Sequence, residues 1–97
     1  MMELILRDFL DHFGIDEEFP DYLYNQTFNE VFLDGELTNK GNNYKLVVTT
    51  RQDVTHQLFL KPNEEFPVIV LSILPNGRSN GIKFGQNEGE EIPISKL

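Results

Sequence analysis

The sequence predicts an α+β fold, an N-terminal amphipathic helix followed by an antiparallel β-meander sheet, in a single domain spanning residues 1–97. Two observations carry this. Apolar residues recur at helical spacing as far as Gly14, and from residue 44 onward they fall in short β-rich runs separated by turn residues. The gaps between those runs are too short for parallel crossovers, which need about a dozen residues or more.

In the first element, Met2, Ile5, Leu6, Phe9, Leu10 and Phe13 form one helical stripe, opposite Glu3, Arg7, Asp8, Asp11 and His12. Glu3 and Arg7 make an i,i+4 pair in the favourable order. Gly14 suits the left-handed position just past a helix end. Asp16 is placed to cap a short turn, and Pro20 interrupts any helix continuing from residue 15. Residues 21–37, "DYLYNQTFNEVFLDGEL", admit two readings. One is a second short helix burying Leu23, Phe28, Val31 and Phe32; the other is a hairpin turning at Asp34-Gly35 with "EVFL" as a strand.

The β-rich region, residues 44–97, opens with "YKLVVTTR" and the alternating "HQLFLK". "FPVIVLSIL" is apolar on both faces and reads as a central strand. The turn segment "PNGRSNG" precedes "IKFG", an acidic turn "QNEGEE", and "IPISKL". An SH3-like small barrel with an N-terminal helix is the alternative arrangement of these strands. No repeat, low-complexity stretch or linker divides the chain further.

Composition narrows the chemistry. A hydrophobic content of 39% supports one core, and the absence of cysteine leaves that core to hold by packing alone. It also removes disulfides, thiolate metal sites and cysteine nucleophiles. No apolar run reaches the length of a membrane span, and "MMELILRDFL" is broken by Glu3, Arg7 and Asp8, unlike a secretory signal. The expectation is a cytoplasmic protein.

Charge is the most informative feature. The net charge is −8, but residues 1–36 hold ten acids against one base, Arg7. Residues 37–97 hold six acids and seven bases and are near neutral. The stretch "GIDEEFPD" places four carboxylates in eight positions with no base. Such a field repels nucleic acid and anionic membranes and attracts basic protein surfaces. Asp16, Glu17, Glu18, Asp21, Glu30, Asp34 and Glu36 are therefore candidate partner-binding residues. Tyr22 and Tyr24, beside Pro20, either join them as aromatic hot spots or cover the edge of the core.

Other chemistries find little support. His12 and His56 lie in different elements and polar contexts, with no nucleophile and orienting group converging on either. Ser72, Ser79 and Ser95 show no elbow or partner spacing. "PNGRSNG" joins two strands, so it is no phosphate-binding loop. "DGELTNKGNN" begins faintly like a calcium loop, but its glycine is misplaced and Lys45 stands where the closing acid belongs. The seven later bases form no stripe for phosphates. No metal, no cofactor, no direct nucleic-acid binding and no catalytic residue are expected.

The stretch "LVVTTRQDVTHQLFLKPNEEFPVIVLSILPNGRSNGIKF", residues 46–84, resembles the strand meander of the phage uracil-DNA glycosylase inhibitors. Its Leu-Val-x-Thr strand, the acidic turn before an apolar central strand, and Asn76-Gly77 leading to Ile82-Lys83 carry the likeness. Small size, acidity, absence of cysteine and an N-terminal helix agree with it. The resemblance implies a DNA mimic in a bacterial host or phage-infected cell. Its carboxylates would occupy the basic nucleic-acid groove of an enzyme, and a hydrophobic pocket on the sheet would take an apolar side chain of that partner. Alignment on the Asn-Gly turn places Val47, Leu58, Leu60 and Leu71 at pocket positions; as plain sequence, the four read equally as core. The family's Glu-Ser step into the groove has no match here, and Asp16, Glu17 and Glu18 are merely the nearest acids.

The segments "LFLKPNEEFPVIVLSILPNG", "GIKFG" and "EEIPISKL" are also similar to the strand order of an SH3-like barrel, with a diverging turn at residues 61–65 and a last short strand at 92–97. That likeness implies a phage or bacterial structural or assembly module, with self-association compatible. The usual run of groove aromatics is missing.

Overall fold

The computed structural model describes residues 4–28 and 32–94. The chain begins with strand β1 (Leu4–Ile5), helix α1 (Leu6–His12), a 3-10 turn (Asp21–Asn25) and strand β2 (Thr27–Phe28). Six strands follow: β3 (Phe32–Lys40), β4 (Asn43–Thr50), β5 (Thr55–Leu60), β6 (Val68–Ile73), β7 (Ser79–Phe84) and β8 (Glu91–Ile94). They form one antiparallel sheet in sequential order, while β1 and β2 make a separate two-stranded ribbon. No pairing joins β3 to β8 among the described residues, so the sheet is open. The meander and the α+β class are as the sequence predicts.

Helix α1 is shorter than its apolar stripe. Leu4 and Ile5 pair with Phe28 and Thr27, and the Leu6 N–H donates to Gln26 O at 2.9 Å. This long-range ribbon captures residues that the 3.6-residue period would assign to the helix. The helix buries Leu6, Phe9 and Leu10 and exposes Arg7, Asp8, Asp11 and His12. Its end matches expectation. Gly14 has φ 69°, its N–H donates to Asp11 O, and the Ile15 N–H donates to Leu10 O. Those two bonds make a Schellman stop.

Residues 21–37 follow neither of the two readings as a whole. Leu23 is buried in the 3-10 turn, but Asp34-Gly35 lie inside β3 instead of at a turn. Glu30 and Val31 lie outside the described residues. The chain reverses later, through Gly41 and Asn42, with Gly41 at φ 63°. Glycine at the first central position of a two-residue hairpin is what a type II′ turn requires. "PNGRSNG" splits similarly: the Leu74 and Arg78 backbones close a turn around Gly77, while Ser79, Asn80 and Gly81 already belong to β7.

Strand parity sorts the sheet into two faces. Leu46, Val48, Leu58, Leu60, Val68, Val70 and Phe84 point inward and pack with Leu6, Phe9, Leu10, Ile15, Phe19 and Leu23. The opposite face has no covering layer among the described residues. Val47, Phe59, Ile69 and Leu71 are half-buried there, and Ile73 and Ile92 are exposed. Lys45 Nζ lies 5.6 Å from the centre of the Phe59 ring, and Lys83 Nζ lies 4.8 Å from that of Phe66.

Candidate functional site

In a sequential meander, alternate turns fall at the same end of the sheet. The β3–β4, β5–β6 and β7–β8 turns share one end; the β4–β5 and β6–β7 turns share the other. The first set carries Glu64, Glu65, Glu88 and Glu90, with Glu91 opening β8. The second set carries Arg51, Asp53 and Arg78. The turns thus give the molecule an acidic end and a faintly basic one.

The segment at residues 14–25 is tied to the acidic end through Tyr22. The Tyr22 hydroxyl donates to Gly85 O at 2.6 Å, at the end of β7. Glu17 lies beside Tyr44, at the start of β4, close enough to raise that phenol. The acidic turns are linked to each other as well, because Gln86 Nε2 donates to Glu64 O at 2.8 Å. Asp16, Glu17, Glu18 and Asp21 therefore share one end with Glu64, Glu65, Glu88, Glu90 and Glu91. Of these, Asp16, Glu18, Asp21, Glu64, Glu65, Glu88 and Glu91 are exposed. Lys40 and Lys61 are the bases on the same turns.

Electrostatics register the crowding. The Tyr22 phenol is raised above its ordinary value, first by burial and then by the charges of Glu91, Glu90 and Glu88. The Tyr44 phenol is also raised, first by its hydrogen bond to Glu17, then by burial and by the charges of Glu17 and Asp16. Glu17 Oε2 is shielded from solvent with no hydrogen-bond partner.

The remaining sequence-predicted residues are dispersed. Asp34 pairs in register with Thr49, toward the opposite end, and Glu36 is exposed on the β3 edge opposite Val47. Glu30 is not among the described residues. Tyr22 and Tyr24 are half-buried against the core. The Tyr24 hydroxyl accepts from the Phe19 N–H at 2.9 Å, and Arg7 sits 5.3 Å above its ring. Both hydroxyls therefore brace the 14–25 segment.

Val47, Leu58, Leu60 and Leu71 do not come together. Leu58 and Leu60 are fully buried on the inner face, while Val47 and Leu71 flank Gln57 on the outer face. Residues of opposite parity on adjacent strands cannot line one side of a sheet.

One constellation has no counterpart in the sequence expectations. His56 is 8% exposed, on the inner face, in contrast to the polar setting its neighbours suggest. Its Nδ1 lies 2.7 Å from Ser72 Oγ, directly across the β5–β6 pair. Parity was the available signal: in "HQLFL" the histidine shares a face with both leucines. Among the described residues, no three His, Cys, Asp or Glu side chains group closely enough to hold a metal ion. Nor is any helix there long and apolar enough to cross a membrane. No family model, curated protein or solved structure matches the chain.

Proposed function

We propose that the protein is a small non-enzymatic binding protein that uses its acidic end to occupy the basic nucleic-acid-binding site of a partner protein, acting as a DNA mimic in the bacterial cytoplasm. The observation that supports this is the convergence of acids from three separate segments, 16–21, 64–65 and 88–91, at one end of a sheet. Strands of six to eight residues hold the two ends about 20–26 Å apart. That exceeds the Debye length of about 8 Å at physiological salt. A partner approaching the acidic end thus feels little of Arg51 and Arg78, and like-charged nucleic acid or membrane is repelled. Steered association of this kind weakens as salt rises.

The test is the Asp16→Ala, Glu17→Ala, Glu18→Ala triple variant. It should bind the partner more weakly and with a shallower salt dependence. Unchanged binding and unchanged salt slope would refute the reading.

A second reading, an assembly module, is favoured by the uncovered outer face with exposed Ile73 and Ile92 and by the open edges β3 and β8. It predicts salt-insensitive self-association. A strict monomer in sedimentation at high concentration would dismiss it.

A further inference from the structure

A pocket of about 240 Å³ lies between the N-terminal segment and the inner face of the sheet. Its walls are Leu6, Val68, Val70, Ile82 and Phe84, with Gln26, His56 and Ser72 supplying the polar lining. The Leu6 N–H bond to Gln26 O fixes two of its lining residues to each other. The pocket is partly open to solvent, so a small molecule can reach its walls. An engineered apolar cavity of about 150 Å³ is enough to hold benzene.

From this lining we infer that the pocket binds a small neutral organic molecule, an aromatic or branched aliphatic body carrying one hydroxyl group. The apolar walls favour the body through removal of its surface from water. Ser72 and His56 form a donor–acceptor pair whose roles are set by the imidazole tautomer. A hydroxyl, which both donates and accepts, suits either direction. The Gln26 side chain makes only a long 3.5 Å bond to Tyr22 O, so its amide adds to the polar side. Neither a carboxylate nor a Lys or Arg side chain is among the lining residues. An anionic ligand would be desolvated there without a permanent cation. This site is independent of the acidic end, and either reading stands if the other fails.

The experiment is an NMR titration of the protein with p-cresol, toluene and 4-methylbenzoate in parallel. p-Cresol should give saturable shifts at Leu6, Val68, Val70 and Ser72 and bind about three- to tenfold tighter than toluene, the value of one net hydrogen bond. 4-Methylbenzoate should bind more weakly than either. Ser72→Ala should erase most of the p-cresol advantage and leave toluene within about twofold, while Val70→Phe fills the space and abolishes both. Should Val70→Phe unfold, Ile82→Phe blocks the same space from a half-buried position. Absence of saturable shifts with p-cresol and toluene would overturn the inference. So would binding that survives a folded filling variant, tightest binding by 4-methylbenzoate, or an undiminished p-cresol advantage in Ser72→Ala.

Discussion

Replacing Leu58 and Leu71 separately by alanine tests the two-faced reading of the sheet. The residues lie on neighbouring strands and are similarly apolar, yet Leu58 is 0% exposed in the core and Leu71 is half-buried on the uncovered face. Leu58→Ala removes buried methyl groups and leaves a cavity between β5 and the N-terminal segment, at a cost of about 2–5 kcal/mol. A domain of this size has a total stability of roughly 5–15 kcal/mol. At mid-range the variant should therefore lose about a third of its margin, and Tm should fall by about 4–8 °C for each kcal/mol. Leu71→Ala leaves no enclosed cavity and forfeits only part of one leucine's burial, roughly 0.5–1 kcal/mol. Urea unfolding at equilibrium, with m-values compared, measures both. Equal losses, or a larger loss for Leu71→Ala, would refute the assignment of faces.

Three further outcomes are expected. Gly14→Ala should destabilise by about 1 kcal/mol, because φ 69° strains an L-residue although nothing lies within 4 Å to clash with the new methyl; denaturant titration that shows no loss would contradict the helix stop. Tyr22→Phe should cost about 1 kcal/mol through the lost bond to Gly85 O, with the same assay as the check. The Tyr22 and Tyr44 phenols are held above their ordinary value in the folded state, so they bind protons more firmly folded than unfolded. Their contribution is fully present below about pH 10 and is lost as pH rises through the folded values. Tyrosinate absorbance should show late-titrating phenols, one fewer in Tyr22→Phe, and unfolding in denaturant should move those phenols back to ordinary titration.

Much of the sheet was legible because its period-2 runs and turn residues are local. "YKLVVTTR", "HQLFLK" and "FPVIVLSIL" become β4, β5 and β6 with small shifts at their ends. What escaped depended on distant partners. The β1–β2 ribbon takes Leu4 and Ile5 from the helix through pairing with residues more than twenty positions away. Asp34-Gly35 looks like a turn by composition, yet the pairing of β3 along β4 keeps the pair extended. The Cβ of an alanine at position 35 would sit 2.9 Å from Phe13 Cζ, which gives this glycine a packing purpose within the strand.

The acidic end was half legible. The charge count singled out Asp16, Glu17, Glu18 and Asp21, while the overall balance of residues 37–97 concealed Glu64, Glu65, Glu88, Glu90 and Glu91. Averaging over sequence mixes turns that the meander sends to opposite ends. Counting alternate turns separately reveals the polarity without any coordinates. Likewise, parity within each strand separates Leu58 and Leu60 from Val47 and Leu71. The His56–Ser72 contact was not legible in spacing, since it depends on the register of β5 against β6.

The role of the acidic end is best tested by competition. The immobilised protein is exposed to bacterial lysate at low salt, and the bound proteins are challenged with duplex DNA, then with a salt gradient. A variant carrying Asp16→Asn, Glu18→Gln, Glu64→Gln and Glu65→Gln runs alongside. The expected result is a nucleic-acid-binding protein released by DNA and by salt, and poorly retained by the neutralised variant. A partner indifferent to DNA and salt, or one captured equally by both proteins, would contradict the DNA-mimic reading.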